Sequence, residues 1–479
     1  MLTILALRHL WVRKLRALFL LLGYALGVGV MIVLLSVGEA MLEQSRDVSL
    51  VGGGNITVLP EGIDIEAMRT GGVSGMFFGI DRARFVTRQL LGGPRHAAIT
   101  RVVSPAIENK LVYLEHAGRT LTVRAGGEIP SRATGVGAPI RVLQGRWRDS
   151  PADSAWMVPT AGQLYHEMDH FHLPAIADST WGEWHYFNLE TAPGEWWYVT
   201  LLVGGALPGG RWGGQVLVTH RGAGGRYQQF RGTVPASEAS FDTVRADLRL
   251  GSSRVRQADG RYQVEARAHG PSGDVKLAFE LRPLPQRFFP PVVLREGASR
   301  SGYVVPALSA VADGTICRNG RCERIARVPA YHDHNWGVWR EVTWDWGAAR
   351  GAAFNLLYGA VHASDSARSP VTAPFFVALV DSLGVKQILR ARDIRYGGRM
   401  RASGEPGVAA PSQFAFTAAR EADTLRVRVR VTDAFATRQG SAGFERVFLQ
   451  LRGRFVLEGR VGGAGVADSG GGFFETYVR

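Results

Sequence analysis

The chain has 479 residues, 46% hydrophobic and 20% charged, a balance that excludes wholesale disorder and fits about two to four domains. Its formal net charge is +14, but the arginines are scattered and only Lys14, Lys110, Lys276 and Lys386 are lysine, so the basic stripe that nucleic-acid binding needs is absent. Two cysteines exclude a disulfide-rich scaffold and a four-cysteine zinc site.

Residues 1–16 form a basic segment with Arg8, His9, Arg13, Lys14 and Arg16. Ala17–Gly38 is an uncharged run of 22 residues, followed by Glu39, Glu43 and Asp47. As a helix it would be about 33 Å long, against about 30 Å of bilayer hydrocarbon. The positive flank belongs in the cytoplasm. The expectation is therefore a single-pass protein of the bacterial inner membrane with its C-terminal domains in the periplasm. A cleaved signal peptide is the competing reading, although its apolar core should be only about 7–15 residues. Gly23 and Gly27 make a small-residue face of the kind that lets membrane helices approach.

The run LALRHLWVRKLRALFLLLGYALGVGVMIVLLSVGEAM, with LVGGGNITVLP after it, resembles the start of MacB/FtsX-type permeases of ABC exporters. LQGRW at Leu143–Trp147 and MVPTAGQLY at Met157–Tyr165 are similar to the extracytoplasmic domain of that family. The resemblance implies a partial MacB-like periplasmic region over 39–174, with ABC exporter subunits as partners. Those permeases carry further membrane helices, and no second run of 18 apolar residues follows here.

Within 39–174, Asp81–Leu91 predicts a helix with Asp81 as N-cap. Ala98–Val103, Leu111–Leu114 and Arg119–Ala125 predict strands, and the mix predicts a small α+β region. His166-Glu167-Met168-Asp169-His170 matches the H-E-x-x-H zinc pattern, which on a helix would put His166 and His170 on one face. Asp169 and the nearby Pro174 argue against such a helix, and a solvated linker is the plainer reading. No metal and no cofactor is expected.

From Trp181 onward the pattern is β. Tyr262, Val264, Ala266 and Ala268 alternate with polar residues, as do Val275, Leu277, Phe279 and Leu281, and Leu425, Val427, Val429 and Val431. Period two over many short runs predicts antiparallel sheets closed into barrels, and the length calls for two. The predicted fold class is mainly β: two barrels over 175–305 and 306–479, preceded by the transmembrane helix and the α+β region. GEWHYFNL and GEWWYVTL, joined through ETAPG, predict a hairpin. Tryptophans cluster at 181–212 and 336–346, and inside a barrel such rings would line a cavity for a hydrophobic small molecule or lipid.

Ala330–Gly347 reads AYHDHNWGVWREVTWDWG. On a strand His332 and His334 point one way, and Tyr331, Asp333 and Asn335 the other. Asp345 stands between Trp344 and Trp346. A carboxyl group among indoles tends to stay protonated and can serve as an acid near neutral pH, while aromatic faces stabilise a carbocation. A structural hydrogen-bonded knot and a metal pair at His332 and His334 remain alternatives. Cys317 and Cys322 bracket a hairpin tip as a disulfide or as free thiols.

GEWWYVT, ADLRLG, GYVVPAL, YHDHNWG, WDWG and the C-terminal GFFETYV together resemble the AttH-like and carotenoid 1,2-hydratase (hydroxyneurosporene synthase) family. The resemblance covers about residues 175–479 and implies a double-calycin fold of two lipocalin-like barrels. It also implies a site built from Tyr331, His332, Asp333, His334, Asn335 and Asp345, with Glu195, Trp196, Trp197, Tyr198, Trp336, Trp344 and Trp346 on the ligand. Two functions follow as expectations. One is a hydrophobic-ligand binder working beside an ABC-type exporter; the other is an acid-catalysed isoprenoid hydratase or cyclase.

Overall fold

The structure is a computed structural model. It describes residues 14–46, 56–58, 80–137, 148–153, 169–174, 177–207, 209–296, 299–338, 343–362, 375–441 and 444–478. Two compact units are present: Met1–Thr87 with Thr100–Met157, and Arg88–Ile99 with Val158–Arg479. LQGRW, MVPTAGQLY and His166 lie outside the described residues.

The first unit holds helix α1 (Lys14–Arg46, 33 residues), most of α2 (Ile80–Gly92), the hairpin β1–β2 (Ala106–His116 and Arg119–Glu128) and the short α3 (Pro130–Gly135). Leu21, Leu22, Leu26, Met31, Val33 and Leu34 are all more than half exposed, and at 3.6 residues per turn they surround α1 on every side. Among the described residues no helix is long and apolar enough to cross a membrane. The expected span 17–38 includes side chains at 17, 20 and 38 that lie outside the described set. The expected strand Ala98–Val103 is not formed: the segment is turn and irregular backbone, and among the described residues of this unit β1 pairs with β2 alone.

The second unit contains two closed sheets. The first is built from β3 (Trp181–Ala192), β4 (Glu195–Gly205), β5 (Trp212–Arg221), β6 (Tyr227–Pro235), β7 (Ala239–Phe241), β8 (Asp247–Leu250), β9 (Ser253–Ala258), β10 (Arg261–Gly270), β11 (Gly273–Pro283), β12 (Phe289–Glu296), β13 (Ser299–Arg318) and β14 (Arg321–Val338). Its path β11-β13-β14-β3-β4-β5-β6-β10 closes through β10–β11 pairing, giving an eight-stranded barrel. The predicted faces hold: Tyr262, Val264 and Ala266 on β10, and Val275, Leu277 and Leu281 on β11, are buried. The expected hairpin is β3–β4, turning at Pro193-Gly194 with Gly194 at φ 79°.

The second barrel uses β15 (Thr343–Gly351), β16 (Asn355–His362), β17 (Phe376–Asp381), β18 (Gly384–Ala391), β23 (Gln413–Arg420), β24 (Asp423–Ser441), β25 (Phe444–Val461) and β26 (Ala464–Tyr477), closing where β23 pairs with β24. Four two- or three-residue strands, β19 to β22 (Arg395–Gly397, Met400–Arg401, Ser403–Gly404, Ala409–Ala410), lie between β18 and β23. Its core packs Leu356, Tyr358, Phe414, Phe455 and Phe474.

The division expected at 305/306 does not follow the sheets. β13 and β14 pair with β11 and β3, so residues up to Val338 complete the first barrel. Hydrogen-bond ladders join β13 on both edges, and Pro306 near its middle does not end it. At the tip of β13–β14, Asn319 (φ 49°) and Gly320 (φ 78°) make the left-handed turn that an Asn-Gly pair favours. That turn brings Cys317 opposite Cys322 with Cα atoms 3.9 Å apart, and the two form a disulfide.

Candidate functional site

β14 is the shared wall of two different sites. Its alternation sends Tyr331, Asp333 and Asn335 toward the second barrel, and His332, His334 and Trp336 into the first. Five of the six residues expected to form one site are therefore divided between two.

The outer face of β14 meets β3, β4, β15, β25 and β26 in a seam between the barrels. Tyr186, Tyr198, Tyr331, Trp346 and Phe473 pack there in one apolar cluster, with the partly buried Trp184, Trp196 and Trp344 against it. Asp333 is buried; its Oδ2 accepts from the Tyr331 hydroxyl at 2.7 Å and its Oδ1 from Asn335 Nδ2 at 2.7 Å. Trp346 Nε1 donates to the Tyr331 hydroxyl at 3.1 Å. Across the seam, Glu475 Oε2 accepts from Trp344 Nε1 at 3.1 Å. Arg452 reaches over from β25, donating to Tyr198 Oη and Asn188 Oδ1 at 2.5 Å each, with its guanidinium 3.2 Å from the centre of the Trp196 ring.

Burial governs the acid–base character of this seam. It pushes Asp333 up to about 8 and Glu475 up to about 7, outweighing the hydrogen bonds that each accepts. Burial likewise raises Tyr186, Tyr198 and Tyr331. Among the described residues the seam thus brings the buried Asp333 and the partly buried Glu475 together with three neutral phenols and indole rings.

Asp345 does not join it. Strand alternation turns it to the other side of β15 from Trp344 and Trp346. There it accepts from Tyr396 Oη at 2.7 Å and Thr476 Oγ1 at 2.6 Å, and lies 2.7 Å from His362 Nε2. Glu195 and Trp197 also face away from the seam: Glu195 Oε1 is 2.8 Å from His220 Nε2, and Trp197 stacks on that imidazole at 3.9 Å. Trp197 lines an open cavity of about 590 Å³ at one end of the first barrel, whose rim includes Cys322, Arg318 and Arg321. Trp184, Trp196, Trp344 and Trp346 do not line a barrel cavity as expected: they sit on outer faces, at the seam.

Inside the first barrel, His334 Nδ1 is 2.5 Å from Asp169 Oδ1, and His334 Nε2 is 2.9 Å from Glu183 Oε1. His185 stacks on His334 at 4.0 Å, and Tyr262 Oη donates to Asp169 Oδ2. Trp336 stacks on His172 at 3.5 Å. Burial disfavours charge throughout, yet the imidazoles of His334 and His185 hold Asp169 well below its usual range, and Asp169 and Glu183 hold His334 up near 10. His170 is not on a helix: Asp169–Pro174 is irregular backbone, and the His170 ring stacks on His172 at 4.3 Å.

Sequence reasoning missed Glu475, Arg452, Asp169, Glu183 and His185. Glu475 lies inside the quoted GFFETYV, flanked by Phe473, Phe474 and Tyr477, a carboxylate among aromatics like Asp345. Arg452 carries no local signal, because its partners are distant in the chain, and Asp169, Glu183 and His185 lie in quoted motifs whose grouping around His334 only the fold makes.

No protein-family model matches the chain, and neither does any curated protein. Among solved structures it is similar to an AttH candidate from Nitrosomonas europaea, at 17% identity over 62% of this chain and 92% of that one, TM-score 0.45. It is also similar to kievitone hydratase from Nectria haematococca, at 11% identity over 65% and 97%, TM-score 0.43. CghA with Sch210972 matches at 13% identity over 65% and 94%, TM-score 0.45. None of these matches gives support to an exporter-permease segment.

Proposed function

We propose that the seam between the barrels binds a hydrophobic unsaturated ligand of the lipid or isoprenoid class and protonates one of its double bonds. The observation that carries this reading is Glu475: a partly buried residue whose carboxyl group accepts from Trp344 Nε1 and is pushed up to about 7 by desolvation. Its proton passes to one alkene carbon, and the cation left on the neighbouring carbon faces aromatic rings that stabilise it. Water then adds to that carbon and returns a proton to the Glu475 carboxylate, so the net change is addition of one water. If a second double bond captures the cation first, a ring closes and proton loss to Glu475 restores the acid. Asp333, held between Tyr331 and Asn335, fixes the Tyr331 hydroxyl at the same surface. His332 and His334 lie outside this site, since they point into the first barrel.

The second reading is carriage of the same ligand without chemistry beside a membrane. It is favoured by α1, whose exposed apolar side chains leave no polar face, a pattern that lipid accounts for. In this reading α1 anchors the chain in the bacterial inner membrane with the barrels on the periplasmic side. The Cys317–Cys322 disulfide supports an oxidising compartment. An ABC-type exporter subunit as partner rests on the sequence resemblance alone. Release of the full chain from membranes by alkaline carbonate would refute the anchor.

The test is to incubate the full chain in detergent micelles with a lipid extract and identify bound species by mass spectrometry, for wild type, Glu475→Gln and Asp333→Asn. A ligand gaining one water, or isomerised without mass change, in wild type but not in Glu475→Gln supports the acid reading. The same unchanged ligand retained by all three proteins supports carriage. No ligand on any of them refutes both.

A further inference from the structure

The imidazole–carboxylate cluster inside the first barrel takes no part in the seam. It lies on the opposite face of β14. We infer that it is a binding site for a divalent transition-metal ion, Zn²⁺ by its donor set, with Asp169, His185 and His334 as ligands.

Four observations carry the inference. Asp169, His185 and His334 offer ligand atoms that all lie within 4.8 Å of one another, and all three residues are buried. The β3–β14 register sets His185 directly opposite His334, and Asp169 enters from the segment before β3. Among the described residues three buried ring nitrogens here make no hydrogen bond, His185 Nδ1, His332 Nε2 and His334 Nε2, and of these His185 Nδ1 also makes no ion pair. A buried imidazole nitrogen without a partner is costly, and an ion at this point would engage it.

The fourth observation is the outer support that ligating groups need. His332 Nδ1 is engaged by the Tyr186 carbonyl at 3.0 Å, which leaves Nε2, 3.5 Å from Asp169 Oδ2, directed at the cluster. Tyr262 Oη donates to Asp169 Oδ2, leaving Oδ1 toward His334. Glu183 stands 2.9 Å from His334 Nε2 and accepts from the His172 backbone N–H at 2.8 Å.

Two imidazoles and one carboxylate suit zinc, whereas calcium and magnesium prefer oxygen ligands. The three protein donors come from β3, β14 and the Asp169 segment, so the ion ties these together. The sequence pattern His166–His170 reached this neighbourhood for a different reason, since it is Asp169 between those histidines that supplies a ligand.

The test uses the full chain in detergent. After reconstitution with Zn²⁺ and removal of excess, elemental analysis should find one equivalent per chain. Chelation should lower the melting temperature. With Co²⁺ as probe, wild type should show the intense visible bands of a tetrahedral N/O site, and His185→Gln and Asp169→Asn should each bind at least about tenfold more weakly. No zinc retained, a Co²⁺ spectrum like that of the aqueous ion, or undiminished metal in both variants would overturn the inference. If either variant fails to fold, the wild-type Co²⁺ spectrum and stoichiometry decide alone.

Discussion

Replacing Glu475 by glutamine keeps the size of the side chain and removes its charge. The groups facing it are Asp333 and Tyr331 from β14, Tyr186 from β3, Tyr198 from β4, Tyr358 from β16, Arg452 from β25 and Tyr477 from its own strand. Arg452 is the one cation among them, and it is already engaged with Tyr198, Asn188 and the Trp196 ring. Burial therefore prevails and moves Glu475 from 4.5 to about 7. At about 1.4 kcal/mol per unit, that displacement corresponds to about 3 kcal/mol. The sign follows from proton binding. Between about pH 4.5 and 7 the native state holds the Glu475 proton and the unfolded state has released it, so wild-type stability falls as pH rises through this window. Denaturant unfolding followed by tryptophan fluorescence at about pH 5 and about pH 8.5 should show wild type losing about 3 kcal/mol more than Glu475→Gln. Asp333 is present in both proteins, so its own share largely cancels. Parallel pH profiles would mean that Glu475 is solvated or ionised at neutral pH, and the acid assigned to the seam would be lost with that result.

Arg452→Ala should destabilise the barrels by about 3 kcal/mol, since it leaves Tyr198 Oη and Asn188 Oδ1 without their charged donor in a buried seam. A change in melting temperature no larger than that of an exposed Arg426→Ala control would contradict this. Gly347→Ala should cost at least about 1–3 kcal/mol, because a Cβ there would sit 2.4 Å from Tyr358 Cε1 and 2.7 Å from Phe474 Cδ1. Gly471→Ala, whose nearest neighbour would be the Gly453 carbonyl oxygen at 3.9 Å, should be tolerated. Equal thermal shifts in the two glycine variants would show that packing between β15, β16 and β26 is looser than described.

How much was legible can be judged from β14. Period-two spacing was enough to separate His332 and His334 from Tyr331, Asp333 and Asn335, because successive strand residues must point to opposite faces. It was also enough to mark the buried faces of β10, β11 and β24. What each face would meet was not legible. Backbone ladders are the same for any sequence, so nothing in residues 299–338 announced that β13 pairs with β11 and β14 with β3, and the barrel boundary expected near Pro306 was misplaced for that reason. Asp345 shows the same limit at one residue: its neighbours in sequence are indoles, yet its neighbours in space are Tyr396, Thr476 and His362.

The sequence by itself determined the mainly β class, the inward and outward faces of single strands, and the Asn-Gly turn that lets Cys317 meet Cys322. These depend on a few adjacent residues and on alternation along one strand. Only the tertiary structure decided that Glu475 and Asp333 share a seam, that Arg452 crosses it, and that Asp169 joins His185 and His334. Those groupings bring together residues more than a hundred positions apart, through barrel closure and barrel-on-barrel packing, which local patterning does not encode.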